Sequence, residues 1–327
     1  MTTPWLTVVM PTHDGARWLG EALASIAAEG DPGIACLVYD SSADEATVAV
    51  AERFRDRLDL TIERRCDLGP WTVKTNALVA AAATDHVAML HQDDLWRPGR
   101  AAAIRAAIAA EPEAVLHLFA TRIVDETGRD LGAWTCPLPE GRVARDLLVE
   151  RLIVQNFVSV PAPVFRRDAF LAVGGLDPDL WYTADWDLWL KLAAAGPVTH
   201  HRRATAGFRI HGGSQTIAGS RSLDDFRDQM QRVLDRHGGS VEGPEATAAL
   251  AAARVSIAIN TALAGAADGK GAGLVGAGLG LLGLGPMGML RYFRDSRLIE
   301  RVMPRLRAKL GGRLTRTSDA ARREATA

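Results

Sequence analysis

The sequence predicts an α/β protein: a mostly parallel central sheet flanked by helices, followed by a helical C-terminal extension. Three observations carry this expectation. Residues 5–120 alternate short apolar runs with helix-like segments, the pattern of a parallel sheet with right-handed crossovers. The first run is unbroken rather than alternating, as in strands buried on both faces. Acid-rich polar clusters then follow the runs, at the sheet edge where such folds place ligands.

The elements follow in order. Leu6–Met10 reads as the first strand, ended by Pro11. Asp14 can cap a helix whose apolar face is Leu19, Leu23 and Ile26. Ile34–Tyr39 is a second strand ending at Asp40, followed by a helix over about 45–57 and a strand at Leu60–Glu63. A helix over about 71–83, in which Lys74 reads as solvated, leads to the strand Val87–Leu90. Ala114–Phe119 is a further strand, and Asp125-Glu126-Thr127-Gly128 a turn. Residues 131–155 read as a loop and a helix. Phe157–Phe165 is β-rich, but Pro161 and Pro163 put it at an edge or bulge. Gly174-Gly175 closes a short helix. Trp186–Leu192 and Ser222–His237 read as helices and Val198–Arg209 as a strand.

The chain has 327 residues, 48% hydrophobic and 24% charged, enough for one large domain with an appendage. A net charge of −1 argues against a nucleic-acid partner, which needs a basic footprint. Cys36, Cys66 and Cys136 are far apart and lack metal spacing; a sparse, odd count and no visible signal peptide fit a cytoplasmic location. Residues 271–290 carry no charge, but eight glycines and Pro286 argue against a spanning helix. From Arg291 onward there are 11 Lys/Arg against 4 Asp/Glu. Apolar beside basic suggests a membrane-surface element over 271–313; the other reading is a helical hairpin packed on the main domain with a solvated basic tail. Gly271–Gly285 lacks the preceding strand and Gly-Lys-Ser/Thr of a phosphate loop.

The most informative segment is Val87-Ala-Met-Leu-His-Gln-Asp-Asp-Leu-Trp96, an apolar run that ends in two carboxylates. Adjacent acids on a strand tip are costly without a cation or donors, and hard divalent cations prefer oxygen ligands. Three other clusters sit at predicted strand or helix ends: Pro11-Thr12-His13-Asp14, Asp40-Ser41-Ser42-Ala43-Asp44, and Thr183-Ala184-Asp185-Trp186-Asp187 with Arg209-Ile210-His211-Gly212-Gly213-Ser214.

Taken together and in this order, the segments over about residues 5–217 resemble the family 2 glycosyltransferases, which have the Rossmann-like GT-A fold. Val9 to Asp14, with Leu19, Leu23 and Ser25, is similar to the family's first strand and helix. Asp40-Ser41-Ser42 with Asp44 resembles its Asp-Gly-Ser-x-Asp segment, and Gly69 and Asn76 fit its third crossover. His91-Gln92-Asp93-Asp94 resembles its Asp-x-Asp-Asp motif. Asp185 takes the Asp position of its Glu-Asp motif, and Arg209-Ile210-His211 resembles its Arg-x-His segment.

The resemblance implies an inverting glycosyltransferase. It would move a sugar from a nucleotide-sugar donor, UDP-sugar by default, to a hydroxyl of a glycan or lipid-linked acceptor in polysaccharide or cell-envelope synthesis. Pro11, Thr12, Asp14, Asp40, Ser42, Asn76, Gln92 and Asp93 would lie on the nucleotide. Asp93 and His211, with His91 as a further candidate, would hold Mn²⁺ or Mg²⁺. Asp185 would be the catalytic base, and Trp181, Tyr182 and Asp187 would face the acceptor. One carboxylate suffices, because a diphosphate leaves without protonation, whereas hydrolases pair two. Two positions depart from the family pattern: His91 replaces the first acid of Asp-x-Asp, and Ala184 replaces the Glu beside Asp185. Histidine suits softer ions better than Mg²⁺.

Each reading has a structural rival: Asp40 and Asp185 as helix caps, Asp93 as a turn cap, His211 as a surface histidine, Thr12 as a local backbone partner, and Trp181 as core. Two functional rivals also remain. A sugar-1-phosphate nucleotidylyltransferase should carry a basic, glycine-rich loop after the first strand, where this chain has Pro11-Thr12-His13-Asp14. A non-catalytic nucleotide-sugar-binding protein is compatible with His91 and Ala184. The expected organisation is a glycosyltransferase domain over 1–217 (nucleotide half about 1–100, acceptor half about 101–217), a helical extension over 218–313 and a disordered tail over 314–327.

Overall fold

The computed structural model describes residues 3–212, 222–243, 245–267, 269–271 and 273–307. The Gly213-Ser214 part of the Arg-x-His segment, the expected boundary at 217 and the 314–327 tail lie outside the described residues.

A ten-stranded mixed sheet forms the centre, ordered β3-β2-β1-β4-β9-β6-β10-β5, with β7 beside β6 and β8 beside β10. The first half is parallel: β3 (Asp59–Arg64), β2 (Ile34–Asp40), β1 (Leu6–Thr12) and β4 (His86–Met89). Every residue of β1 is buried, because helices cover both faces. The covering helices are α1 (Leu19–Ala27), α2 (Ala46–Glu52) and α3 (Trp71–Ala81). The short β9 (Val164–Arg166) runs antiparallel to both β4 and β6 (Leu116–Val124) and joins the halves. In the second half β10 (Val198–Arg209) pairs parallel with β6 and antiparallel with β5 (Leu95–Trp96) and β8 (Gly141–Val143). The strand β7 (Asp130–Trp134) pairs antiparallel with β6.

Three local expectations need correction. Pro11 does not end β1. It pairs with Tyr39 of β2, and it is tolerated because β4 has already stopped opposite Val9, so no ladder partner misses its N–H. Asp14 does not cap α1. It sits at φ 49° on an exposed turn, its N–H donating to Ser42 Oγ (2.8 Å), and the helix begins at Leu19. Of the Phe157–Phe165 run only Val164 and Phe165 are strand, and that strand lies between β4 and β6 instead of at an edge. The prolines leave residues 157–163 as a mostly buried loop, whose carbonyls at Pro161 and Ala162 accept the buried Arg100 guanidinium (2.8 and 3.0 Å).

The helix Ala184–Ala195 (α7) lies under the second half, after α4 (Arg100–Ala110), α5 (Arg145–Leu152) and α6 (Arg167–Ala172). Gly174 and Gly175 follow α6 at φ 80° and 64°, a left-handed turn that glycine adopts without strain. The extension comprises α8 (Leu223–His237), α9 (Ala246–Ala267), α10 (Gly273–Gly283) and α11 (Gly285–Ser296). Phe226, Met230, Ile257 and Tyr292 of these helices belong to the same hydrophobic cluster as Trp186, Trp189 and Leu152 of the catalytic half. Among the described residues one helix, Ala246–Ala266, is long and apolar enough to cross a membrane, with half of its apolar window buried in the protein; α10 and α11 pass the same test together but are bent by 114°.

Candidate active site

The tips of β1, β2 and β4 converge as the parallel topology requires. Asp40 is fully buried at the end of β2 and accepts hydrogen bonds from Thr12 Oγ1 (2.8 Å), Ser42 Oγ (2.7 Å) and the Ser42 N–H (3.2 Å). Ser42 in turn contacts Thr47 Oγ1 (3.0 Å) and accepts the Asp14 N–H. Lys74, expected to be solvated, is 2% exposed: its Nζ donates to the Thr12 carbonyl (2.6 Å) and Ser41 Oγ (2.7 Å). Burial pulls its pKa below the ordinary lysine value. A buried cation therefore ties β1 and β2 together directly behind the site.

Two residues expected on the nucleotide are instead bound to backbone. Asn76 Nδ2 donates to the Leu176 carbonyl (2.8 Å) and its Oδ1 accepts the Leu176 N–H (2.9 Å), leaving the amide no free donor–acceptor face. Gln92 exchanges the same pair of bonds with His13 (both 2.8 Å) and clamps the β1 tip to the β4 tip. Each amide stitches one loop to another.

The β4–β5 loop carries the acids. Ligand atoms of His91, Asp93 and Asp94 lie within 4.8 Å of one another. His91 Nε2 is enclosed and has no hydrogen-bond partner, an orphan that a buried polar atom rarely tolerates. Asp93 Oδ2 lies 2.9 Å from His211 Nε2. Burial alone would raise the Asp93 pKa, but the His211 hydrogen bond and the two histidine charges hold it below the ordinary carboxylate value. Asp94 goes the other way: burial and the Asp93 charge push its pKa well up, against the Arg209 N–H that donates to its Oδ1 (2.9 Å). Among the described residues His91, Asp93 and Asp94, with one imidazole nitrogen orphaned, lie close enough to share a divalent cation, and His211 joins the group through Asp93.

Arg209 organises this loop. It is 1% exposed, and its guanidinium donates to the carbonyls of Asp93 (2.8 Å), Asp125 (3.3 Å) and Glu126 (2.9 Å) and to Glu21 Oε2 (2.6 Å). It lies over the Trp18 ring at 4.4 Å, and Trp18 also packs against the His211 ring at 5.6 Å.

A cleft opens beyond the acids, lined by His91, Asp93, Trp134, Asn156, Trp181, Tyr182, Asp185, Arg301 and Arg305, among others. Asp185 begins α7 and is 7% exposed. Its Oδ2 accepts Asn156 Nδ2 (2.9 Å) and its Oδ1 accepts the Trp186 N–H (2.8 Å). Burial raises its pKa to about 7 in spite of those two bonds. Asn156 thus supports Asp185 where Ala184 cannot, and no motif announced it. Trp181 and Tyr182 line the same cleft. Asp187 does not: it is fully buried on the other side of α7, bonded to Lys191 (2.9 Å), Arg236 (2.8 Å) and His237 (2.8 Å), so its expected acceptor role is withdrawn.

An acid-bearing sheet tip that adjoins a cleft is where open α/β sheets bind ligands, and the fold is that of the GT-A glycosyltransferases. The sequence pattern of the family described as "Glycosyl transferase family 2" matches residues 7–171, and the chain belongs to that family. It is therefore a glycosyltransferase. RP339, an uncharacterized glycosyltransferase of Rickettsia prowazekii, is 20% identical over 242 residues, covering 72% of this chain and 73% of its own. Among solved structures, S. aureus TarS is similar with a TM-score of 0.60 and 18% identity; the match covers 77% of this chain and spans 43% of the TarS chain. The mannosyltransferase PcManGT of Pyrobaculum calidifontis, solved with GDP-Man and Mn²⁺, matches 94% of this chain and 88% of its own at 17% identity and TM-score 0.50. At these identities the structures establish the fold.

Proposed function

We propose that the protein is a metal-dependent, inverting glycosyltransferase that uses a nucleoside-diphosphate sugar, with UDP as the default nucleotide. The observation that carries this reading is Asp185, a buried carboxylate with a pKa near 7, sharing one cleft with Asp93 and the orphaned His91 nitrogen. TarS has been solved with UDP-GlcNAc and PcManGT with GDP-Man and Mn²⁺, which supports a nucleotide-sugar donor.

In this mechanism Asp93, His211 and His91 hold the cation, Mn²⁺ suiting the imidazoles better than Mg²⁺. When bound, the ion supplies Lewis-acid stabilisation of the departing diphosphate. The acceptor hydroxyl attacks the anomeric carbon from the face opposite the diphosphate, and the carbon–oxygen bond to the diphosphate breaks. Asp185 takes the hydroxyl proton, held in place by Asn156. Thr12, Asp40 and Ser42 set the shape of the nucleotide end through their mutual bonds, with Pro11 in the adjoining strand and Asp14 on the exposed turn beside them. Trp181 and Tyr182 offer ring faces to an acceptor sugar.

The test is nucleotide release from a panel of UDP-, GDP- and dTDP-sugars with Mn²⁺, Mg²⁺ or EDTA. Release from one donor that requires metal and falls at least 100-fold in Asp93→Ala is the expected result. Nucleotide binding without turnover for any acceptor would favour a binding protein instead. Undiminished release in Asp93→Ala would remove the metal role.

We also propose peripheral contact of residues 271–313 with the inner face of a membrane, the acceptor then being lipid-linked. What supports it is an outward apolar face: Val275, Leu279, Leu282, Met287 and Leu290 are 64–79% exposed. Leu279→Glu with Leu290→Glu should abolish co-flotation with anionic vesicles without lowering thermal stability. Unchanged flotation would refute the contact.

A further inference from the structure

Two guanidinium groups enter the cleft from the helical residues 298–307, at the end occupied by Tyr182 and Asp185. Arg301 donates Nη2 to Asn260 Oδ1 (2.6 Å) and Nη1 to the Ser296 carbonyl (3.3 Å). Arg305 donates Nη1 to the Arg301 carbonyl. Neither makes a carboxylate ion pair among the described residues, although Glu300 lies next to Arg301 in the chain. Glu300 is turned away, bonded to the Thr135 N–H (2.8 Å) and paired with Arg297 (3.2 Å). That contact, with Arg307 on the Leu131 carbonyl (2.8 Å), fixes the segment against β7.

The electrostatics are unusual for a wall that serves only structure. Burial and the neighbouring Arg301 charge pull the Arg305 pKa down to about 10, and burial lowers that of Arg301. Guanidinium remains charged in proteins, so two half-buried positive charges sit side by side, bonded to neutral oxygens. The Trp134 indole N–H, on the same cleft, is also enclosed and without a partner. Two guanidinium groups thus line the same cleft as the proposed base, with no carboxylate paired to either among the described residues. In the reading above, the donor diphosphate is held by Asp93, His91 and His211 instead.

We propose that Arg301 and Arg305 bind a phosphate group on the acceptor, so that the enzyme glycosylates a hydroxyl carried by a phosphorylated molecule. The proposal rests on the Asp185-centred reading above. A planar guanidinium fork matches two phosphate oxygens, and two such forks can also orient the neighbouring hydroxyl toward Asp185. A phosphorylated polyol and a phosphorylated lipid headgroup present the same chemistry.

The test is calorimetric titration of glycerol 3-phosphate, glycerol and geranyl phosphate into the full chain saturated with UDP and Mn²⁺, so that the donor end is filled. Glycerol 3-phosphate should bind at least tenfold more tightly than glycerol. Arg305→Gln and Arg301→Gln should each weaken it about tenfold, with UDP–Mn²⁺ affinity unchanged and partial rescue by Arg305→Lys. Among the described residues Arg305 bonds one backbone carbonyl, so Arg305→Gln should leave the fold intact even if Arg301→Gln does not. Tighter binding of geranyl phosphate assigns a lipid source, and tighter binding of glycerol 3-phosphate a soluble one. Equal binding of glycerol and its phosphate, or unchanged binding in both glutamine variants, overturns the proposal. A parallel loss of UDP–Mn²⁺ affinity would also overturn it, by giving the arginines to the donor diphosphate. If the wild type fails to bind UDP–Mn²⁺, the donor reading fails, while the phosphate titration still decides the arginine pair.

Discussion

Asp185→Asn abolishes sugar transfer and at the same time makes the protein more stable above neutral pH. The amide cannot accept the acceptor proton, and losing a general base costs about 10²–10⁴ in rate. The stability gain follows from linkage. Burial raises the Asp185 pKa from 3.8 to about 7, so the native state favours the neutral carboxyl. The group's contribution is therefore intact below pH 4 and is lost as pH rises through about 7. At 1.36 kcal/mol per pKa unit, the upper limit of that loss is about 4 kcal/mol. Asparagine has one acceptor oxygen for the two donors, Asn156 Nδ2 and the Trp186 N–H, which returns about 1–3 kcal/mol. A net gain of about 1–2 kcal/mol at pH 8, a few degrees in Tm, should vanish at pH 4. A variant that is inactive but no more stable at pH 8 would contradict the buried-carboxylate picture. The same pKa shapes the rate. Transfer should climb with pH as Asp185 ionises and level off above about 7. Asn156→Ala, which removes a donor to the charged form, should move that inflection to higher pH.

Arg209→Ala destabilises the protein by about 3–5 kcal/mol, the range for removing one partner of a buried charged network. Three backbone carbonyls lose their donor, and Glu21 and the buried Asp94 lose their nearby cation. Tm should fall by about 10 °C, and UDP–Mn²⁺ affinity should fall with it, because Asp93 is held through its own carbonyl. Arg209→Lys keeps the charge but not the fork, and should recover less than half of the stability. A change under 1 kcal/mol in Arg209→Ala would show that the loop holds its shape without this anchor.

Much of this was legible in the sequence. Three of the four parallel strands announce themselves by mainly apolar runs, β3 by alternation, and the acids at the tips of β2 and β4 follow from topology. What escaped depends on contacts that span the chain. Lys74 lies on a helix whose inward face is fixed only when α3 packs behind Thr12 and Ser41, so its burial has no periodic signature. Asn76 and Gln92 look like ligand-reading amides in the sequence, yet each amide is matched to a peptide group brought near by folding, 100 and 79 residues away. Asn156 stands in a loop with no motif, and Arg301 and Arg305 blend into a basic stretch that reads as a solvated tail. The Phe157–Phe165 run becomes strand only at its end, because Pro161 and Pro163 have no N–H to give a ladder.

The family pattern ends at residue 171, yet the walls of the cleft continue from Trp181 to Arg305. The chain is therefore a common engine with a private address label. The acids of the β2 and β4 tips lie in the shared half, while Asp185, His211 and much of the cleft wall are contributed by segments beyond it. Exchanging residues 222–307 between relatives should redirect such an enzyme to a new acceptor while leaving its choice of nucleotide alone. Removing that segment would strip away one wall of the reaction chamber and expose the apolar side of α7 to water, so the catalytic half is not a freestanding module.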